Sequence, residues 1–199
     1  MGEPERDISR LGLSKDLSAF IINEWGIKNL HPPQAQAMPS IISGKNTMVC
    51  IPTASGKSLI SFIGICHRIM VAEKGTRAIY IVPLKALASE KQQELTELGN
   101  ALGLKVGIGI GDNRNEVSNI DDCDILVCTS EKLDSLMRQN KGVLRKVSVI
   151  VADEFHLLND SSRGPTMEIN LARIRHLVPE AQIITLSATV GNSQDLADW

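Results

Sequence analysis

Aromatic residues make up only 3% of the 199-residue chain, too few for rows of base-stacking platforms. Charge of one sign is also missing. Lys and Arg number 21 against 23 Asp and Glu, a formal net charge of −2, so no global basic field advertises a polyanion. Binding to nucleic acid would have to be local, through loops and helix ends. The four cysteines, Cys50, Cys66, Cys123 and Cys128, form no C-x-x-C pair and sit in or beside apolar runs. Small buried thiols in a reducing, intracellular compartment are the expectation. The four histidines show no metal-ligand spacing, which argues against zinc. Residues 1–10 are charged and lack an apolar signal core, and no apolar run approaches the ~20 residues of a membrane span. What is present, 43% hydrophobic and 22% charged residues, is the composition of an ordinary globular domain.

Six short apolar runs alternate with stretches of helical periodicity: 47–51, 77–82, 105–110, 124–128, 147–152 and 182–186. That alternation predicts an α/β fold with a mostly parallel sheet covered by helices on both faces. Residues 1–13 read as a loosely held lead-in, and 14–199 as a single domain. Ser14 can cap a helix carrying Leu17, Phe20, Ile21 and Trp25, ended by Gly26. Leu30-His31-Pro32-Pro33-Gln34 forms a rigid entry into a second helix running toward Gly44. Further helices are predicted to about Glu73, from Leu84 to about Leu102, over Ser130–Asn140 and from about Pro165 to His176. Residues 111–122, polar and turn-prone, read as a surface excursion. The chain stops at Asp198-Trp199 inside what looks like another helix, so a piece of something larger is expected.

The stretch Ile51-Pro52-Thr53-Ala54-Ser55-Gly56-Lys57-Ser58 lies between an apolar run and a helix, the setting of a phosphate-binding loop. Unpaired N–H groups at the helix start and the positive end of its dipole face the turn. Gly56 permits close backbone approach, Lys57 supplies a mobile charge, and Ser58 offers a hydroxyl to Mg²⁺. The strict pattern has glycine where this chain has Ile51, which counts against small GTPases and many small-molecule kinases. A second signal is the apolar strand Val149–Ala152 ending in Asp153-Glu154. Carboxylates at a strand's C-terminal end stand where α/β sheets bind ligands. Asp153 there can help hold Mg²⁺, and Glu154 can orient or deprotonate a water attacking a γ-phosphate.

With Phe155 and His156 the second signal becomes Asp-Glu-x-His, and the chain resembles the first, RecA-like motor domain of a superfamily 2 DExH helicase. The branch it resembles is that of archaeal DNA-repair helicases related to the helicase domain of polymerase theta. Leu30–Gln34 looks like the Q motif, Pro83-Leu84-Lys85-Ala86-Leu87 like motif Ia, and Thr129-Ser130-Glu131-Lys132-Leu133 like motif Ib. Asp153–His156 matches motif II, and Ser187-Ala188-Thr189 motif III. Arg163-Gly164-Pro165-Thr166 and the tail 186–199 resemble the same branch. Ala54 departs from a glycine common in the helicase loop, and Phe155 is bulkier than the usual aliphatic residue.

The resemblance implies a P-loop NTPase domain using ATP and Mg²⁺. Thr53, Ala54, Ser55, Gly56, Lys57 and Ser58 would cradle phosphate, and Gln34 would read adenine with its amide fork. Lys57, Asp153 and Glu154 would be catalytic, with Ser58 and Asp153 on the metal. His156, Ser187 and Thr189 would couple nucleotide state to nucleic-acid grip. Pro83, Lys85, Thr129, Ser130 and Arg163 would hold strand phosphates. The implied partners are single-stranded or branched DNA, with RNA possible, and a second RecA-like domain of the same natural chain that carries the facing arginine fingers. No membrane partner is expected and the implied location is cytoplasmic. An RNA helicase of the same superfamily, or a binding module without turnover, are the alternative readings.

Overall fold

The computed structural model describes residues 4–52, 55–110, 122–139, 142–159 and 164–188. Strands β1 (Thr47–Cys50), β2 (Arg77–Val82), β3 (Val106–Gly109), β4 (Ile125–Thr129), β5 (Val147–Ala152) and β6 (Gln182–Ser187) form one sheet in the order β1-β6-β5-β2-β4-β3. Every neighbouring pair is parallel. Parallel neighbours need a crossover, and helices supply most of them. Helices α1 (Lys15–Asn23) and α2 (Pro32–Ile42) precede β1, and α3 (Lys57–His67) and α4 (Lys85–Leu102) flank β2. Helix α5 (Ser130–Arg138) follows β4, and α6 (Gly164–Leu177) follows β5.

Side chains alternate across a strand, and the alternation builds two cores. Ala78, Tyr80 and Val82 of β2, with Val149 and Val151 of β5, pack on the face covered by α1 to α4. Ile79 and Ile81, with Ile150 and Ala152, pack on the face that carries α5 and α6. Strands β4 and β5 are buried along their whole length, while the edge strand β3 is buried only at alternate residues. Continuous apolar runs therefore mark the inner strands and alternation the edge.

Three expectations change. The lead-in is not loose where it is described: Ile8 is buried in the core. Its N–H donates to the Lys28 carbonyl at 3.0 Å, and the Arg6 Nε–H donates to the Leu30 carbonyl at 2.8 Å. One apolar residue among charges suffices, because the strand-like 28–30 segment offers free backbone groups. Helix α1 ends at Asn23, before Trp25, whose ring instead meets the Phe20 ring edge-on at 5.0 Å. The helix expected to reach Glu73 is α3 followed by a π turn over Arg68–Ala72, in which the Glu73 N–H donates to the Arg68 carbonyl at 2.8 Å. Residues 111–121 of the expected surface excursion, and 189–199 of the tail, lie outside the described residues. Among the described residues no helix is long and apolar enough to cross a membrane.

Candidate nucleotide site

Because the strands are parallel, their C-terminal ends share one rim, where α/β sheets take their ligands. At that rim Gly56 caps α3 in the left-handed conformation, φ 72°, which glycine enters without strain. A side chain there would collide with the Gln34 carboxamide nitrogen. Lys57 follows as the first residue of α3. It is only 8% exposed, and its Nζ has no hydrogen-bond partner among the described residues. A buried ammonium without a counter-charge is strongly unfavourable, so its place beside the capping glycine fits an anion such as a triphosphate. Ser58, partly buried, stands next on the same first turn. The Ser55 N–H donates to the Pro52 carbonyl at 3.3 Å, closing the turn. Thr53 and Ala54 lie outside the described residues.

Gln34 was expected as an adenine reader, and the structure gives it other partners. It is 2% exposed. Its Oε1 accepts the His31 N–H at 2.8 Å, and its Nε2 donates to the carbonyls of Ser55 at 3.2 Å and Gly56 at 3.0 Å. Both amide hydrogens thus hold the phosphate loop, and neither is left for a purine. The partners of the amide fork lie inside the protein.

Strand β5 delivers Asp153 to the same rim, 6% exposed. Burial holds its carboxyl above the usual carboxylate range, and the Tyr80 hydroxyl opposes that shift. Asp153 Oδ2 accepts the Tyr80 O–H and Oδ1 accepts the Glu154 N–H, each at 2.8 Å. From α4, the Lys91 ammonium also favours the charged form of Asp153; Lys91 is itself paired with Glu94 at 2.9 Å. Glu154 has φ 51°, a left-handed conformation uncommon outside glycine and typical of strained functional sites.

His156 sits between motifs. Its Nδ1 is 3.3 Å from Glu154 Oε2 and 3.4 Å from the Ala188 N–H. One nitrogen cannot serve both in one protonation state, since it donates to the carboxylate only when protonated and accepts the N–H only when bare. Either way, His156 stands between the Glu154 carboxylate and the Ala188 backbone that follows β6. The Ser187 hydroxyl, expected to reach His156, is buried and donates to the Ala188 carbonyl at 2.8 Å. Thr189 lies outside the described residues.

The phosphate-holding residues separate by exposure. Lys85, at the start of α4, is exposed. Pro83 is buried, as are Thr129 and Ser130 at 4% and 2% exposure. The Thr129 hydroxyl caps α5 by accepting the Lys132 N–H at 3.3 Å, and the Ser130 carbonyl accepts the Asn170 amide at 2.8 Å. Pro83, Thr129 and Ser130 thus shape the rim, and Lys85 is the exposed member of the four described residues expected at strand phosphates. Arg163 lies outside the described residues. The sequence reading missed Tyr80, Lys91 and Asn170. Tyr80 was detectable in principle, as a lone hydroxyl in an apolar strand that must find a partner. Lys91 and Asn170 carry no local signal that sets them apart from solvated helix residues.

Residues 31–196 match the DEAD/DEAH box helicase family model. The chain is 44% identical over 197 residues to the ATP-dependent DNA helicase Hel308 of Methanocella arvoryzae, covering 96% of this chain and 26% of that protein. It is 42% identical over 193 residues to the protein of the same name from Pyrococcus abyssi, again covering 96% and 26%. Against that of Thermococcus kodakarensis it is 44% identical over 180 residues, covering 90% and 16%. The chain thus spans about a quarter of the length of the first two relatives. With a six-stranded parallel sheet, a glycine-capped loop at its rim and Asp-Glu-x-His beyond β5, this chain belongs to the DEAD/DEAH box helicase family.

Proposed function

We propose that this chain is the ATP-binding motor domain of an ATP-dependent DNA helicase acting in repair or recombination. The observation that carries the reading is the buried Lys57 ammonium at the glycine-capped start of α3, which has no hydrogen-bond partner among the described residues. ATP bound with Mg²⁺ would supply the phosphoanhydride and a divalent charge to offset the phosphates, with Ser58 and Asp153 holding the ion. Lys57 and the free N–H groups of α3 bind the phosphate chain. Asp153, buried and held by two donors, keeps its orientation. Glu154, next to Asp153 in the left-handed turn after β5, orients or deprotonates the attacking water. The His156 Nδ1 faces both the Glu154 carboxylate and the Ala188 N–H, and exchanging one partner for the other would link that carboxylate to motif III.

The names of the relatives favour DNA as the polymer. Exposed Lys85 and the rim loops would contact its backbone, with no reading of bases. A second RecA-like domain would close the cleft, and alternate closing and opening would move the pair along one strand. The test is a chimera in which this chain replaces the matching quarter of the Methanocella arvoryzae relative. Phosphate release should rise when single-stranded DNA is added, and Glu154→Gln should lower it by a factor on the order of 10² or more. Equal turnover by the Glu154 variant would remove that residue from catalysis, and stimulation by RNA alone would overturn the choice of DNA.

A further inference from the structure

Tyr80 is the single tyrosine of the chain, and it is fully buried. It lies in β2 among aliphatic residues, where a phenol without a partner would be costly. Its hydroxyl donates to Asp153 Oδ2, at 2.8 Å, while the Ser61 side chain of α3 also hydrogen-bonds the phenol. Sheet register explains the meeting. Tyr80 stands opposite Val151 of β5, and Asp153 follows two residues later on the same face, so the ring reaches along the sheet to the carboxylate. The ring is itself held. Phe62 of α3 packs on it with centroids 6.0 Å apart, Trp25 on Phe62 at 6.2 Å, and Phe20 on Trp25 at 5.0 Å. Four of the chain's six aromatic residues thus form one row that ends on the motif II aspartate.

We propose that Tyr80 is a positioning residue for Asp153. Its hydroxyl fixes the carboxylate in the orientation that receives Mg²⁺, and the row Phe20–Trp25–Phe62 fixes the hydroxyl. This rests on the nucleotide reading of the site. The Glu154 N–H restrains only Oδ1, and it belongs to the neighbouring residue, so it moves with the turn. The Tyr80 O–H restrains the other oxygen from a different strand. Each carboxylate oxygen keeps acceptor capacity for a metal or its water. A tyrosine that only filled the core would be replaceable by phenylalanine without effect on metal.

The test uses the 199-residue chain and a fluorescent ADP. Affinity is measured in EDTA and across a Mg²⁺ titration, for wild type and Tyr80→Phe. Affinity in EDTA should stay within about twofold while the Mg²⁺ concentration for half-maximal enhancement rises about tenfold, as for loss of a hydrogen bond to a charged group. An unmoved Mg²⁺ midpoint would overturn the proposal. So would an equal loss of affinity in EDTA, which would place the effect in the phosphate loop through Phe62. No binding of ADP by wild type at all would instead overturn the nucleotide reading, and the inference with it. Should Tyr80→Phe fail to fold, 3-fluorotyrosine labels the wild-type chain at this one position. Its single ¹⁹F resonance should shift when Mg²⁺ is added to the ADP complex, and that step should vanish in Asp153→Ala. A resonance indifferent to Mg²⁺ in the wild-type chain would contradict the proposal.

Discussion

The Gln34 carboxamide commits both of its hydrogens to loop carbonyls and one acceptor site to the His31 N–H. Gln34→Ala should therefore loosen the phosphate loop and weaken ATP and GTP alike, by roughly 1–3 kcal/mol as for a buried group left unpaired. Competition of the two nucleotides against a labelled ADP checks this; a loss confined to ATP would restore the adenine-reading role. His67 makes a second prediction. Burial, joined by the Arg68 charge, holds it below its ordinary value of 6.5, and its Nδ1 has no partner among the described residues. The unfolded chain then binds a proton that the folded chain resists. The resulting stabilisation is present in full above 6.5 and is lost as pH falls from there through the lower folded value. His67→Phe should flatten the fall of melting temperature between about pH 7 and 5, and an unchanged slope would assign the acid sensitivity elsewhere. At this scale the loop residues Gly56, Lys57 and Ser58 were readable, because their chemistry is carried by identity and spacing. The partners of Gln34 were not, since they lie 21 and 22 residues away and only folding brings them together.

At the scale of elements, all six strands were legible from apolar runs, and the inner ones most cleanly because both of their faces are covered. The docked Ile8 segment and the π turn after α3 were not. One depends on backbone groups of residues 28–30, the other on a side-chain pair, Arg68 with Glu73. The contact of α5 with α6 was equally hidden. Asn170 of α6 is fully buried and donates to the Ser130 carbonyl, while Arg173 pairs with Asp134 at 2.9 Å. These bonds hold the start of α5, and with it Thr129 and Ser130, against α6. The exposed ion pair contributes little, whereas removing the buried amide deletes a hydrogen bond between the two helices inside the core. Asn170→Ala should cost about 0.5–1.5 kcal/mol, read from the midpoint shift in urea. A shift of the same size in Arg173→Ala, with none in Asn170→Ala, would reverse that ranking.

For the whole molecule, the parallel sheet gathers the phosphate loop, the motif II carboxylates and motif III on one rim, through β1, β5 and β6. In the proposed two-domain arrangement those groups would form one wall of a cleft. An arginine finger on the facing wall of such clefts is worth roughly 10³–10⁵ in turnover, so the 199-residue chain should bind ATP while hydrolysing it barely. On the proposed function, binding and hydrolysis would separate by residue, Lys57 serving the first and Glu154 the second. The most direct measurement is equilibrium titration of the chain with fluorescent ATP and Mg²⁺, for wild type, Lys57→Ala and Glu154→Gln side by side. Loss of a charge-assisted contact to phosphate should weaken the Lys57 variant by about 10- to 100-fold, while the Glu154 variant binds as wild type does. Equal affinity of wild type and Lys57→Ala would contradict the assignment of a nucleotide site to the start of α3.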